Sequence, residues 1–198
     1  MVSPTVGTLD RRDVVARLLR DRDGLLVVTG LGSPSYDVHA AGDHDGNYYL
    51  WGAMGAAALV GLGLAQAMPD RKVLVVTGDG EQLMGLGGLA TIAIAAPANL
   101  VVIVLDNGHY GETGMQMSHT GLGVDLASIA RAAGFAEANI VTDQSGVDAV
   151  AQSIADRPLG PRFHVIKVKA ENLPRSLPPR DAVHIKNRLR AHLGFDVA

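Results

Sequence analysis

Two spacings of apolar residues alternate along the chain. In TLDRRDVVARLLRDRD, Val14, Val15, Leu18 and Leu19 recur at helical intervals. GLLVVTGLGSPS then reads as a short buried strand running into a Gly/Ser/Pro loop. A polar, aromatic loop, YDVHAAGDHDGNYYLWG, leads into AMGAAALVGLGLAQAMPDR, a helix of Ala, Gly and Leu that Pro69 closes. Continuous apolar runs predict strands over 72–77 and 100–105, with an apolar helix at about 83–95 between them. Beyond a long glycine-rich loop a helix is expected near 125–133, and NIV and FHVIKVK supply two strands around a helix starting near Ser145. The tail, about 171–198, has prolines that stop the fold and then an amphipathic basic helix.

Strands that are unbroken Val/Ile/Leu runs, alternating with helices, predict an α/β fold: three layers, α/β/α, around a mainly parallel sheet. With 198 residues and no internal repeat, the chain is read as one domain over 1–198. Ligands of such sheets sit beyond the carboxyl ends of the strands.

Two unusual turns fall at those ends. VVTGDGEQLM (75–84) places Gly-Asp-Gly directly after a β-branched run, and VVIVLDNGHYGETG (101–114) repeats the arrangement with Asp-Asn-Gly. A carboxylate between glycines is commonly a turn-former or a helix cap. The repetition at a second strand end asks for a joint explanation. Asp79 offers a hard anionic oxygen and Asn107 a neutral amide oxygen, 28 positions apart. Mg²⁺ takes few protein ligands of this kind and completes its octahedron with phosphate oxygens and water. The glycines permit close backbone approach, and N–H groups following Gly80 suit a phosphate. The pair therefore points to a bound diphosphate with Mg²⁺. No Walker lysine follows GDGEQLM, and the glycines around GLGLAQ do not form GxGxxG after a strand.

Composition narrows the classes further. Net charge is −3 and no basic stripe is present, so a nucleic-acid partner is not expected. The absence of cysteine removes disulfides, thiolate zinc sites, cysteine nucleophiles and iron–sulfur clusters together. The N-terminus lacks an apolar signal core, and the longest apolar run, 53–65, falls short of a membrane span, so a cytoplasmic protein without a membrane partner is expected. His39, His44, Asp43 and Asp45 lie in a polar loop without helical spacing and read as solvated rather than zinc-binding.

The Gly-Asp-Gly and Asn-Gly signatures, separated by a helix and a strand, resemble the diphosphate-binding domain of thiamine diphosphate (ThDP) enzymes over roughly residues 25–168. More narrowly, GDGEQLMGLGGLATIAIAAPANLVVIVLDNGHYGETGMQ is similar to the small subunits of sulfopyruvate decarboxylases and the matching domain of phosphonopyruvate decarboxylases. The resemblance implies that Asp79 and Asn107 bind Mg²⁺ through side chains and His109 through its carbonyl. It places Gly78, Gly80, Glu81, Tyr110 and Gly111 around the diphosphate. It makes Met54 the apolar wedge that bends the cofactor and Gly52 the carbonyl facing its 4′-amino group. Glu81 departs from the family, where a small residue is common at this position: a carboxylate beside a diphosphate repels it unless turned away, and helix-end stabilisation is its alternative role. His119, Glu112 and Gln116 are candidates for proton transfer, with His119 the one carried forward as catalytic.

The implied activity is decarboxylation of a small anionic 2-oxo acid to CO₂ and an aldehyde. Acetolactate synthase-type carboligation and a non-catalytic cofactor-binding role are the alternatives. The family's activating glutamate comes from a pyrimidine-binding domain. None of Glu81, Glu112, Glu137 and Glu171 sits where that role requires, so a partner α subunit and a hetero-oligomer are expected.

Overall fold

A computed structural model of the protein describes residues 7–156 and 159–196; positions 1–6, 157–158 and 197–198, which the expected domain range and tail include, lie outside the described residues. Helix α1 (Arg11–Leu19) starts where the Asp10 side chain accepts from the N–H groups of Arg12 and Asp13. Then come β1 (Leu26–Thr29), α2 (Ser33–Ala40), β2 (Asn47–Tyr49), α3 (Ala57–Ala67), β3 (Val73–Gly78), α4 (Asp79–Met84), α5 (Gly88–Ala95) and β4 (Leu100–Asp106). A hairpin follows, made of β5 (His109–Tyr110), a 3₁₀ turn (Gly111–Thr113) and β6 (Gln116–Met117). The remaining elements are α6 (Leu126–Ala133), β7 (Glu137–Val141), α7 (Gln144–Ser153), β8 (Arg162–Lys167) and α8 (Ala182–His192).

Six strands form one sheet in the order β2-β1-β3-β4-β8-β7, every neighbouring pair parallel. One apolar core lies beneath α3, α5 and α6, where Ala57, Leu62, Leu89, Ile92, Leu126 and Ala130 meet Val75, Val102 and Val165. The other lies beneath α1, α2 and α7, where Val14, Val15, Leu18, Val38, Val147 and Val150 meet Val27, Leu74 and Ile103. Both faces of the sheet are therefore covered, as the unbroken apolar strands required. On α3 the small residues serve the core: a Cβ on Gly61 would lie 2.2 Å from Val75 Cγ2.

The structure departs from the periodicity reading in four places. Residues 33–40, expected as loop, form α2, with Pro34 in the first turn, where its missing N–H costs nothing. NYY within the polar loop is β2, a three-residue strand whose buried Asn47 donates to the Tyr49 hydroxyl at 2.9 Å. The single helix expected at 83–95 is two, α4 and α5, interrupted over 85–87, where Gly85 packs so close to Gly55 that a Cβ on it would lie 2.0 Å from the Gly55 carbonyl oxygen. The long loop after β4 contains the β5–β6 hairpin.

The loop acids and histidines are not simply solvated. Asp43 accepts from the Tyr49 hydroxyl at 2.8 Å and from Arg188 of α8 at 2.6 Å, while Arg188 also donates to the Asn47 carbonyl at 3.3 Å. His39 Nδ1 lies 2.8 Å from Ser176 Oγ. The basic tail helix thus docks on edge strand β2, with Ile185 and Leu189 buried. At the other edge, Arg131 donates to the Ala138 carbonyl of β7. Among the described residues, no helix is long and apolar enough to cross a membrane.

The contact between Gly55 and Gly85 holds the loop before α3 against the α4–α5 junction. Gly85→Ala should cost about 1–3 kcal/mol, because backbone rather than a side-chain tip must move. Gly63→Ala, in the interior of α3 with nothing within 4 Å of its would-be Cβ, should instead stabilise by roughly 0.5–1 kcal/mol. Urea denaturation of the two variants measures the difference, and equal effects would mean that the glycine contact constrains nothing.

Candidate active site

Register explains why the two signature turns meet. In the β3–β4 pair Gly78 lies opposite Leu105, so Asp79 and Asn107 leave the sheet side by side at its carboxyl edge. A cavity of about 250 Å³ opens there. Gly78, Asp79, Gly80 and Glu81 line it from one strand end, and Asn107, His109, Tyr110 and Gly111 from the other. Met54 closes a third side and Leu31, Pro34, Met84, Leu105 and Val168 add apolar wall. Gly52, with φ +75, is exposed and off the cavity wall.

Asp79 is buried beneath a polar floor. Its Oδ2 accepts from the Ser118 hydroxyl and from Thr120 Oγ1, the latter at 2.8 Å, which leaves Oδ1 without a side-chain donor. Thr120 Oγ1 is also 2.8 Å from Asp106 Oδ1, and Lys167 Nζ reaches Asp106 Oδ2 at 2.6 Å. Burial, and after it the nearby Asp106 carboxylate, pushes the Asp79 pKa upward. Such an acid gains from any cation that reaches Oδ1. Asn107 Oδ1 accepts the His109 N–H at 2.9 Å across Gly108, whose φ of +69 favours glycine. A carbonyl oxygen has a second lone pair, so this turn fixes the carboxamide without using up its capacity. Among the described residues no three His, Cys, Asp or Glu side chains group as a metal site. One carboxylate, one carboxamide and a backbone carbonyl make a different donor set, one that suits Mg²⁺ with phosphate.

Gly80 is required as glycine, since a Cβ there would lie 2.4 Å from Tyr110 Cε1. Glu81 lines the cavity, but its carboxylate belongs to the scaffold. Oε2 accepts from Thr77 Oγ1 at 2.8 Å and packs on Gly30, where a Cβ would lie 1.5 Å away. Burial raises the Glu81 pKa against the pull of Thr77 and of the Gly55, Ala57 and Leu31 backbone N–H groups. Oε1 is buried without a hydrogen-bond partner. The carboxylate is thus hydrogen-bonded to the end of β3 through Thr77 and packed against Gly30 just beyond β1.

His119 does not reach the cavity wall. Ser118 and Thr120 are buried and His119 between them is exposed, with Nδ1 3.4 Å from the Tyr110 hydroxyl. Of the other proton-transfer candidates, Glu112 lines the cavity and pairs with Arg175 at 2.8 Å, whereas Gln116 is exposed and bonded to Thr113. The sequence reading missed Ser118, Thr120, Asp106 and Lys167. Asp106 stands inside the Asp-Asn-Gly signature, the hydroxyl–X–hydroxyl alternation of 118–120 was the available sign for Ser118 and Thr120, and Lys167 carried none.

The profile of the family "Thiamine pyrophosphate enzyme, C-terminal TPP binding domain" matches residues 36–168. The chain is 34% identical to the β subunit of sulfopyruvate decarboxylase from Methanothermobacter thermautotrophicus, over 91% of this chain and 93% of that one. It is 42% identical to phosphonopyruvate decarboxylase from Streptomyces viridochromogenes, over 76% of this chain and only 36% of that protein. Benzoylformate decarboxylase from Polynucleobacter necessarius shares the fold, with a TM-score of 0.70 at 19% identity over 84% of this chain and 34% of that one.

The scaffold role of Glu81 makes an expectation. Glu81→Gln, which keeps an acceptor for Thr77 and carries no charge to bury, should hold stability within about 1 kcal/mol of the parent. Glu81→Ala should lose roughly 2–3 kcal/mol, through the void and the stranded Thr77 hydroxyl. Denaturant midpoints of the two variants check this, and an unaffected alanine variant would show that the buried carboxylate holds nothing.

Proposed function

Because the chain belongs to the thiamine pyrophosphate enzyme family and carries its C-terminal TPP binding domain, we propose that it is the ThDP- and Mg²⁺-binding subunit of a two-subunit, cytoplasmic 2-oxo acid decarboxylase. Its substrate is a small anionic 2-oxo acid of the sulfopyruvate or phosphonopyruvate kind, and its products are CO₂ and an aldehyde. The observation that carries the reading is the meeting of Asp79 and Asn107 at adjacent strand ends, on the wall of a cavity that also holds Gly80 and Met54.

In this reading Asp79 Oδ1, the Asn107 carboxamide oxygen and the His109 carbonyl hold the metal. The bare backbone at Gly78, Gly80 and Gly111, with Tyr110 beside it, surrounds the diphosphate. Thr120, Ser118 and Asp106 keep the Asp79 carboxylate in one orientation, so no ordering is left to be done when the metal arrives. Met54 stands on a loop fixed by the Gly55–Gly85 contact and presents an apolar surface for the cofactor to bend over. Thiamine diphosphate, when bound, supplies a thiazolium that takes up the 2-oxo carbon and accepts the electron pair left by CO₂. The apolar wall of Leu31, Pro34, Leu105 and Val168 limits water around that event.

A second polypeptide is part of the reading. Met54 and Met84 line the cavity yet remain 44% and 60% exposed, so the wall they build is open on one side. The chain aligns with nearly all of a protein named as a β subunit but with about a third of the phosphonopyruvate decarboxylase it resembles. A pyrimidine-binding α subunit would supply the missing wall and the activating glutamate.

Asp79→Ala should fold and lose ThDP·Mg²⁺ binding, since it removes the one anionic ligand of the set; undiminished affinity by calorimetric titration would sink the assignment. The wild-type chain purified alone should release no CO₂ from 2-oxo acids. Together with its α subunit it should turn over at ordinary enzyme rates, roughly 1–1000 s⁻¹, giving an aldehyde. Turnover by the chain alone, or a carboligation product in place of the aldehyde, would overturn the proposal.

A further inference from the structure

The cavity has a second positive region that the cofactor does not account for. Arg11, the first residue of α1, is 4% exposed and lines both the main cavity and an adjoining polar pocket of about 100 Å³. Its Nε lies 3.1 Å from Asp37 Oδ2 and its Nη1 donates to Ser33 Oγ at 2.6 Å, while Nη2 makes no hydrogen bond or ion pair among the described residues. Asp37 is wholly buried and is shared with Arg12, whose Nε lies 3.3 Å from Oδ1 and whose Nη2 donates to the Pro174 carbonyl. Two guanidinium groups thus share one carboxylate, and the uncompensated charge lies at the cavity wall.

The neighbours add to it. Ser33 opens α2, whose N-cap is Gly32 and provides no side-chain acceptor for the first-turn N–H groups. Such an end favours an anion. Arg175 reaches the same pocket from the segment before α8, over the Tyr36 ring at 5.8 Å. Glu112 is the acidic residue in the lining of that pocket, and it is already paired with Arg175 at 2.8 Å. Burial also lifts Asp37 to about 6 against the pull of both arginines, which enlarges the positive excess under mildly acidic conditions.

A buried guanidinium with an open donor is costly unless an anion completes it. ThDP has one anionic group, and its diphosphate belongs at Asp79 and Asn107; its ring is cationic. The second region therefore calls for a different anion in the same cavity. We propose that Arg11, supported by Ser33 and Arg175, is the subsite for a tetrahedral oxyanion of the substrate, a sulfonate or phosphonate carried on the carbon next to the 2-oxo group. Identifying that anion as the substrate's rests on the proposed function; the anion subsite itself rests on the geometry of Arg11.

The experiment titrates the purified chain by calorimetry with 3-sulfopropanoate, 3-phosphonopropanoate and propanoate, and separately with ThDP plus Mg²⁺. The two dianions should bind and propanoate should not, because it lacks the tetrahedral group. Arg11→Gln should weaken the dianions roughly tenfold or more while leaving ThDP affinity within about twofold. Arg11→Lys, which keeps the charge of the Asp37 pair but not the planar fork, should show a smaller loss of the same selectivity and serves if the glutamine variant does not fold. Dianion affinity unchanged in a folded Arg11 variant, no dianion binding by the wild type, or a loss confined to ThDP would each overturn the subsite, the last by handing Arg11 to the cofactor. Dianion binding that persists where ThDP does not bind would instead sink the proposed function and leave the subsite standing.

Discussion

The parallel register of β3 on β4 is the constraint on which the site depends. With Gly78 opposite Leu105, the chain leaves the sheet at two neighbouring points on the same edge. At each point the next residues are a short polar side chain and a glycine, so two oxygen donors face one volume before any loop has been specified. Slipping one strand by a single residue would send its buried side chains to the opposite face. The unbroken burial of β4 and near-unbroken burial of β3 make such a slip prohibitively unfavourable. The hydrophobic core thereby sets the positions of Asp79 and Asn107.

Around that fixed point the structure divides labour between carboxylates. Asp79 faces the cavity and is steered from below by hydroxyls, while Asp106 and Glu81, equally buried and close by, are engaged with the protein itself. Lys167 offsets the charge of Asp106, and the backbone near the start of α3 draws on that of Glu81. Acidic residues next to a diphosphate would otherwise repel it. Here two of the three are turned into scaffold, and the third, Asp79, is left facing the cavity.

What could be read from the residues followed from how local the cause was. Strands β1, β3 and β4 are near-continuous apolar runs, and their burial on both faces leaves no other reading. Asp79 and Asn107 were legible because each stands in a short signature at a strand end. Strand β2 was not: three residues in a polar loop become a strand only because Tyr49 and Asp43 meet Arg188 from the far end of the chain. The close packing of Gly85 at the α4–α5 break is against Gly55, thirty positions upstream. Ser118 and Thr120 carry only a hydroxyl–X–hydroxyl alternation, and their role exists only once the hairpin folds back on Asp79. Arg11 reads as one more charge on an amphipathic helix until Asp37 buries it. Glu81 and His119 show the reverse case, residues inside or beside a signature whose side chains the fold directs elsewhere.

The two arginines at the margins of the sheet have a further consequence. Arg188 occupies a carbonyl of β2 and Arg131 a carbonyl of β7, the outermost strands on either side. Extending a sheet from one molecule into the next needs free carbonyls along such a margin. With these acceptors taken, and β2 only three residues long and overlaid by α8, continuation by added strands is blocked at one side and hindered at the other. The same side chains that hold the margins in place therefore work against strand-on-strand association of copies of the chain.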